Sequence, residues 1–387
     1  MDLVGFSLLD STRGLPVIWS LTLARTILPN LYSRVYQGVN YHLRTAAGAR
    51  WADYCRPTDI AFLMTVICNA RCVHCDIWKN KGREDTPTVA EYRETLSDLR
   101  RWLGPVPVYF TGGEALLRPY TPEVLAHACA IGLRAELLTH GFWDDLSRLE
   151  KAALANPARI TVSLDGLGDT HSTIRGRAGF FEKTARALDT LRRIRAEKRL
   201  SFAIRLKTVI MEHNLGDLEA VAHYAAGHGY EVFYQAVEQN YNTPEDPRWF
   251  EHSENWPRDP ARAVAAVRSL IELKRRGLPI RNSYPQLEAM IPYFERPDAL
   301  RLAVQGHSAH ETAAICGALT NIQVLPNGDV QTCAGMPPVG NIRNSSIREI
   351  WRRRPAWWRE GCCQTSRCTP TEKERRGLVV LETGRPA

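Results

Sequence analysis

The chain has 387 residues, more than the roughly 250 that usually share one hydrophobic core, so one large domain plus a smaller one is expected. Hydrophobic residues make up 44% and charged residues 24%, an ordinary globular balance that excludes wholesale disorder. The net charge is +8, but the basic runs "LRRIRAEKR" (191–199) and "WRRRPAWWR" (351–359) read as solvated helix faces, which disfavours nucleic acid as a partner.

The start, "MDLVGFSLLDSTRG", lacks the basic opening and small-residue cleavage site of a signal peptide, so a cytoplasmic location is expected. In a reducing compartment, ten cysteines in clusters indicate metal or redox chemistry in place of disulfides. The stretch "LPVIWSLTLARTILPNLY" (15–32) is interrupted by Arg25 and Pro29 and falls short of the ~20 clean residues that a membrane-spanning helix needs. It reads as part of an N-terminal helical extension (1–55) packed on the main domain, and its amphipathic character leaves membrane-surface contact open.

Beyond it, short apolar runs alternate with helical patterns, as in repeated β-α units around a parallel sheet. Strands are expected near 59–67, 107–111, 134–139, 159–164, 202–210 and 231–236. Thr88 and Glu91 form a capping-box pattern, after which Val89, Tyr92, Leu96, Leu99 and Leu103 recur at helical spacing. A second helix opens at Thr121–Pro122 and stops at Gly132; others are expected over 180–198, 217–227 and 260–276, the last closed by Gly277 and Pro279. Six units imply an α/β fold, a partial (β/α)6 TIM barrel over 56–277, with its chemistry in loops at the C-terminal strand ends. From about 280 the rhythm breaks, and "NIQVLPNGDVQTC" (321–333) reads as a hairpin across Asn327-Gly328 in a small Cys-rich domain, 278–387.

The first strand runs into "CNARCVHC", which places Cys68, Cys72 and Cys75 where a barrel's active site belongs. Thiolates are soft ligands suited to zinc or iron–sulfur clusters. Zinc usually takes four ligands in two pairs, and the nearest candidate for a fourth, His74, sits between two of the cysteines and is poorly placed to join them.

This Cys-x3-Cys-x2-Cys pattern closely resembles that of the radical SAM (S-adenosylmethionine) superfamily. The resemblance implies a 4Fe–4S cluster on Cys68, Cys72 and Cys75 whose fourth iron chelates SAM, with one-electron cleavage to a 5'-deoxyadenosyl radical that abstracts hydrogen from substrate. It also implies an external electron donor such as flavodoxin or ferredoxin. "TGGE" (111–114) looks like the family's Gly-Gly-Glu motif, so Gly112, Gly113 and Glu114 are expected beside the SAM ammonium. "VSLDG" (162–166) and "HSTIRGRAGFF" (171–181) are similar to the stretch that contacts SAM in members with an extra iron–sulfur domain. Ser163 is therefore expected to touch SAM, Asp165 and Arg175 to shape the site, Gln235 to meet adenine or substrate, and His74 to serve as the ring residue of the loop. "LLTHG" (137–141) departs from the family's Thr-Asn-Gly at His140.

Cys316, Gly328 and Cys333 match the opening of the SPASM domain, an auxiliary-cluster module, and "VGNIRNSSIREIW" (339–351) resembles its helix lead-in. The five cysteines present, Cys316, Cys333, Cys362, Cys363 and Cys368, are too few for two fully ligated clusters. A shortened, twitch-like arrangement with one auxiliary 4Fe–4S cluster is implied, held by Cys316, Cys333, Cys368 and either Cys362 or Cys363, with zinc as the alternative. Cys129 reads as core packing and Cys55 has no assigned role. The substrate expected is a ribosomally made peptide or, alternatively, a sugar, alcohol, lipid or isoprenoid. A non-catalytic iron–sulfur or zinc protein is the competing class.

Overall fold

A computed structural model describes residues 28–45, 51, 53–81, 84–241, 243–244, 246, 248–297, 317–333 and 337–355. Cys316, Cys362, Cys363 and Cys368 lie outside the described residues, as does the stretch up to residue 27.

Helix α1 (Leu28–Thr45) precedes the sheet and is tied to it by Tyr32, whose hydroxyl donates to the Leu103 carbonyl (2.7 Å), and by Tyr36, which donates to Pro57 (2.7 Å). Strands β1 (Asp59–Leu63), β2 (Pro107–Thr111), β3 (Arg134–Thr139), β4 (Arg159–Ser163), β5 (Ala203–Ile210) and β6 (Glu231–Ala236) then pair in sequence order, every neighbour parallel. The helices between them are α2 (Val89–Leu103), α3 (Thr121–Ala130), α4 (Ser147–Leu154), α5 (Gly168–Arg175), α6 (Phe180–Glu197) and α7 (Leu218–His228), and α8 (Pro260–Arg275) follows β6. This is the expected partial barrel. The first strand stops at Leu63, four residues before its expected end; beyond it Met64 N still bonds Thr111 O and Thr65 O accepts from Gly113 N, but the chain leaves the regular ladder. The short helices α4 and α5 escape sequence reading, since eight residues give barely two turns of periodicity.

Burial alternates along the strands and sorts two faces. Ile204, Leu206, Thr208 and Ile210 of β5 are buried, whereas Arg205, Lys207 and Val209 point the other way, into the barrel. Low in that interior, Arg159 pairs with Glu136 (2.7 Å) and Arg205 with Glu231 (2.8 Å), closing the floor with matched charge.

The break in rhythm near 277 is not a break in the core. Helix α9 (Tyr284–Glu295) buries Leu287, Met290, Tyr293 and Phe294 in the barrel's own cluster. The hairpin forms as expected, β7 (Asn321–Val324) against β8 (Asp329–Gln331), with Gly328 at φ +86° in the turn. Yet β7 also pairs in parallel with β1, so it continues the barrel sheet; β9 (Gly340–Asn341) and α10 (Ile347–Arg353) complete the described C-terminal part. Trp351 of α10 donates to the carbonyl of Cys55 (3.1 Å), which gives that buried cysteine a structural setting. No helix of the described residues is long and apolar enough to cross a membrane.

The capping box on α2 is present, with Glu91 accepting from Thr88 N (2.6 Å) and Thr88 Oγ1 accepting from Glu91 N (3.3 Å). Thr88→Ala removes the cap oxygen while keeping the backbone N–H that holds Glu91, and lowers unfolding free energy by about 1 kcal/mol, measured by anaerobic urea denaturation.

Candidate active site

The segment that carries the cysteines is held from three sides. From β2, Gly113 N donates to Thr65 O (2.7 Å) and Glu114 N to Ile67 O (3.0 Å). A Cβ at Gly112 would stand 2.3 Å from Thr65 O, and one at Gly113 2.2 Å from Ile67 O, so the glycine pair is required by backbone approaching backbone. From α5, Arg175 O and Ile174 O accept from Arg71 N (3.0 Å) and Val73 N (2.9 Å). From beyond β6, Tyr241 O accepts from Asp76 N, while Asn240 and Asn255 donate to Val73 O. Thr65 and Val66 are further fixed by the Glu84 carboxylate, itself paired with Arg118.

Cys68, Cys72 and Cys75 share a small apolar cluster with Ala70, Phe142 and Phe180. Burial pushes the Cys68 thiol up to about 12, and raises Cys72 and Cys75 as well. In such surroundings the sulfurs become anionic only when a cation compensates them. Among the described residues no three metal-binding side chains converge on one ion, whereas an iron–sulfur cluster gives each thiolate its own iron.

The cysteines open onto a cavity of about 360 Å³ at the C-terminal ends of the strands. Gly112, Gly113, His74, Ser163, Arg175 and Gln235 all line it. Among the described residues, the side chains of Ser163, Lys207 and Gln235 make no hydrogen bond or ion pair within the protein, although they stand on the adjacent strands β4, β5 and β6. His74 Nδ1 is buried without a partner among the described residues, and burial pulls this imidazole down to about 4, so it is neutral.

Glu114 lines the cavity as well. The residue is 1% exposed, and its carboxylate accepts from Leu116 N (3.1 Å), Thr139 Oγ1 (2.9 Å) and His140 N (2.8 Å). These bonds tie the end of β2 to the end of β3. His140 extends this tie: its Nδ1 accepts from Phe142 N (2.9 Å), which leaves the proton on Nε2, 2.7 Å from Asn69 Oδ1 and 3.2 Å from Glu114 Oε2. Asp165 is likewise fully buried, ion-paired with Arg175 (2.6 Å) and accepting from Val209 N (2.9 Å). Burial works to raise its carboxyl, but the Arg175 guanidinium overrides this and holds it below the usual range. Asp165 therefore acts on the cavity through Arg175.

A family model described as the radical SAM superfamily matches residues 62–225, and one described as an iron–sulfur cluster-binding domain, SPASM, matches 316–369. Residues 62–225 thus carry a radical SAM domain and residues 316–369 an iron–sulfur cluster-binding SPASM domain. It is similar to an AdoMet-dependent heme synthase of Methanosarcina barkeri, 26% identical over 310 residues, covering 76% of this chain and 82% of that protein. It is also similar to the subtilosin biosynthesis protein AlbA of Bacillus subtilis, 24% identical and covering 80% of this chain but 62% of AlbA. An Fe-coproporphyrin III synthase of M. barkeri is 31% identical over a region covering 42% of this chain and 39% of that protein. In fold it matches Streptococcus suis SuiB bound to S-adenosylmethionine (TM-score 0.57, 12% identity, 77% of this chain and 66% of that one). It also matches anSMEcpe with bound AdoMet (TM-score 0.55, 14% identity, 76% of this chain and 80% of that one).

As a radical SAM enzyme with a SPASM domain, the protein uses a 4Fe–4S cluster, SAM and an auxiliary iron–sulfur cluster. The residues present fit that set, with three buried thiols at a cavity, a glycine pair pressed beneath it and a His74 nitrogen without a partner among the described residues. Lys207 escapes sequence reading. The signal was a strict alternation in "AIRLKTVI" (203–210) that places both cations, Arg205 and Lys207, on one strand face.

Burial lowers His140 from 6.5 to about 3, so between those values only the unfolded chain takes up its proton. The stability contributed by neutral His140 is complete above 6.5 and is lost as pH falls. Glu114, raised to about 7 by burial, acts in the opposite sense between 4.5 and 7. Anaerobic urea unfolding between about pH 7.5 and 5.5 should show a shallower acid loss for His140→Asn than for the unsubstituted chain.

Proposed function

We propose that Cys68, Cys72 and Cys75 hold the SAM-binding 4Fe–4S cluster and that SAM lies against Gly112–Gly113, His74, Ser163 and Gln235. The observation that carries this reading is the common cavity onto which all of these residues open. When bound, the cluster and SAM supply a 5'-deoxyadenosyl radical able to attack unactivated C–H bonds. The protein's own part is to fix the cysteine segment, exclude bulk water behind Phe142 and Phe180, and present one substrate hydrogen to the cavity. The auxiliary cluster falls to Cys316, Cys333, Cys368 and one of Cys362 and Cys363, all within the matched SPASM region, where it aids substrate binding or electron transfer. On this reading the auxiliary-cluster domain is a structural extension of the barrel sheet through β7.

The substrate proposed is a ribosomally made peptide. The cavity opens at the C-terminal ends of the strands, where a residue of a peptide reaches it from outside the barrel. Two relatives support this reading, AlbA, named for biosynthesis of the bacteriocin subtilosin, and the PqqA peptide cyclase of Xanthomonas campestris. A second reading, a carboxylate-bearing small molecule, is favoured by Lys207, which lines the cavity with no carboxylate bonded to it among the described residues; the heme synthase and Fe-coproporphyrin III synthase relatives point the same way.

Anaerobic reconstitution gives about eight iron per chain, falling to about four in the triple variant Cys68→Ala, Cys72→Ala, Cys75→Ala. Reduced enzyme releases 5'-deoxyadenosine from SAM, and that variant does not; bound zinc or absent cleavage contradicts the proposal. With peptides from deuterium-grown cells as co-substrate, 5'-deoxyadenosine gains mass. If instead Fe-coproporphyrin III accelerates cleavage and its methyl ester does not, the second reading holds.

A further inference from the structure

We propose that Arg175 is a positioning residue that sets the reduction potential of the SAM-binding cluster, acting through the sulfur of Cys72. The inference rests on the assignment of that cluster to Cys68, Cys72 and Cys75.

Arg175 ends α5, and the left-handed Gly176 (φ +68°) that follows turns the chain back under the cysteine segment. A Cβ at Gly176 would stand 2.2 Å from Arg71 O, so helix end and cysteine segment touch backbone to backbone. This contact places the guanidinium. Its Nη1 donates to Cys72 Sγ at 3.6 Å, within range for a hydrogen bond to sulfur, and its Nη2 meets Asp165 at 2.6 Å. Arg175 is 7% exposed and Cys72 8%, so little water screens the contact. Arg175 Nε is buried with no acceptor among the described residues.

Reduction adds one electron to a cluster whose thiolates already carry negative charge. A fixed donor on one thiolate sulfur stabilises the reduced form more than the oxidised form and raises the potential. Asp165 cancels much of the long-range effect of the guanidinium, so the directed N–H···S bond carries most of the difference. Asp165 is itself anchored by Val209 N and, through its carbonyl, by Asn214 Nδ2 (2.6 Å), which keeps the fork from swinging away.

The test is a redox titration of the reconstituted full chain, following by electron paramagnetic resonance the signal that changes when SAM is added, which singles out this cluster from the auxiliary one. Arg175→Met is expected to shift the midpoint to more negative potential by roughly ten-fold in the reduction equilibrium, or 59 mV for a one-electron couple. Arg175→Lys, which retains a donor and the charge, is expected to recover part of the shift. An unchanged midpoint in Arg175→Met at full iron content overturns the inference. So does loss of iron from both variants with the circular dichroism of the fold intact, which makes Arg175 an anchor for the segment and not a control on potential. A protein that shows the shift but cleaves no SAM upholds the inference while contradicting the proposed function.

Discussion

The site depends on how closely one stretch of irregular backbone, residues 64–76, is pressed between its neighbours. Three cysteines must present their sulfurs to separate irons in a fixed array, and a loop left to itself has no reason to hold that shape. Here the chain around it supplies the order. The end of β2 leans on it so closely that only glycine fits at 112 and 113, and the end of α5 makes the same demand at Gly176. Buried carboxylates brace the arrangement from behind, Glu84 under Thr65 and Val66, Glu114 across to Thr139 and His140. Each of these groups would cost several kcal/mol if left unpaired in such surroundings, so the network resists partial loosening.

The barrel interior is graded along its axis. Charge on the floor is matched, Arg159 with Glu136 and Arg205 with Glu231, and serves only to fill the interior. One layer higher, Ser163, Lys207 and Gln235 are uncommitted among the described residues, and they line the cavity beside the cysteines. Burial lowers the basicity of Lys207, with Glu238 at the cavity rim acting against it. The step from matched to uncommitted polar groups marks where structure ends and ligand recognition begins.

Much of this was legible in the sequence. The strands were readable because β-branched runs lie between clear helix signals, and the hairpin because Asn327-Gly328 has few other uses. The cysteine spacing carried the chemistry. Roles were harder to read than positions. "TGGE" names the right segment, but whether Glu114 faces a ligand or the neighbouring strand depends on Thr139 and His140, which lie far away in sequence. The same limit applies to Asp165, whose pairing with Arg175 is fixed by the path of α5. Continuation of the core past residue 277 was hidden because α9 follows a Gly-Pro break that normally ends a domain, and its apolar face is completed by α8.

The central claim is that a cluster on Cys68, Cys72 and Cys75 keeps one iron for SAM. Electron–nuclear double resonance of the reduced protein with SAM labelled at its amino nitrogen or carboxylate oxygen measures this directly. A strong coupling to both labels, lost in the triple cysteine variant, is the predicted result; a reduced spectrum indifferent to the labelled SAM would contradict it.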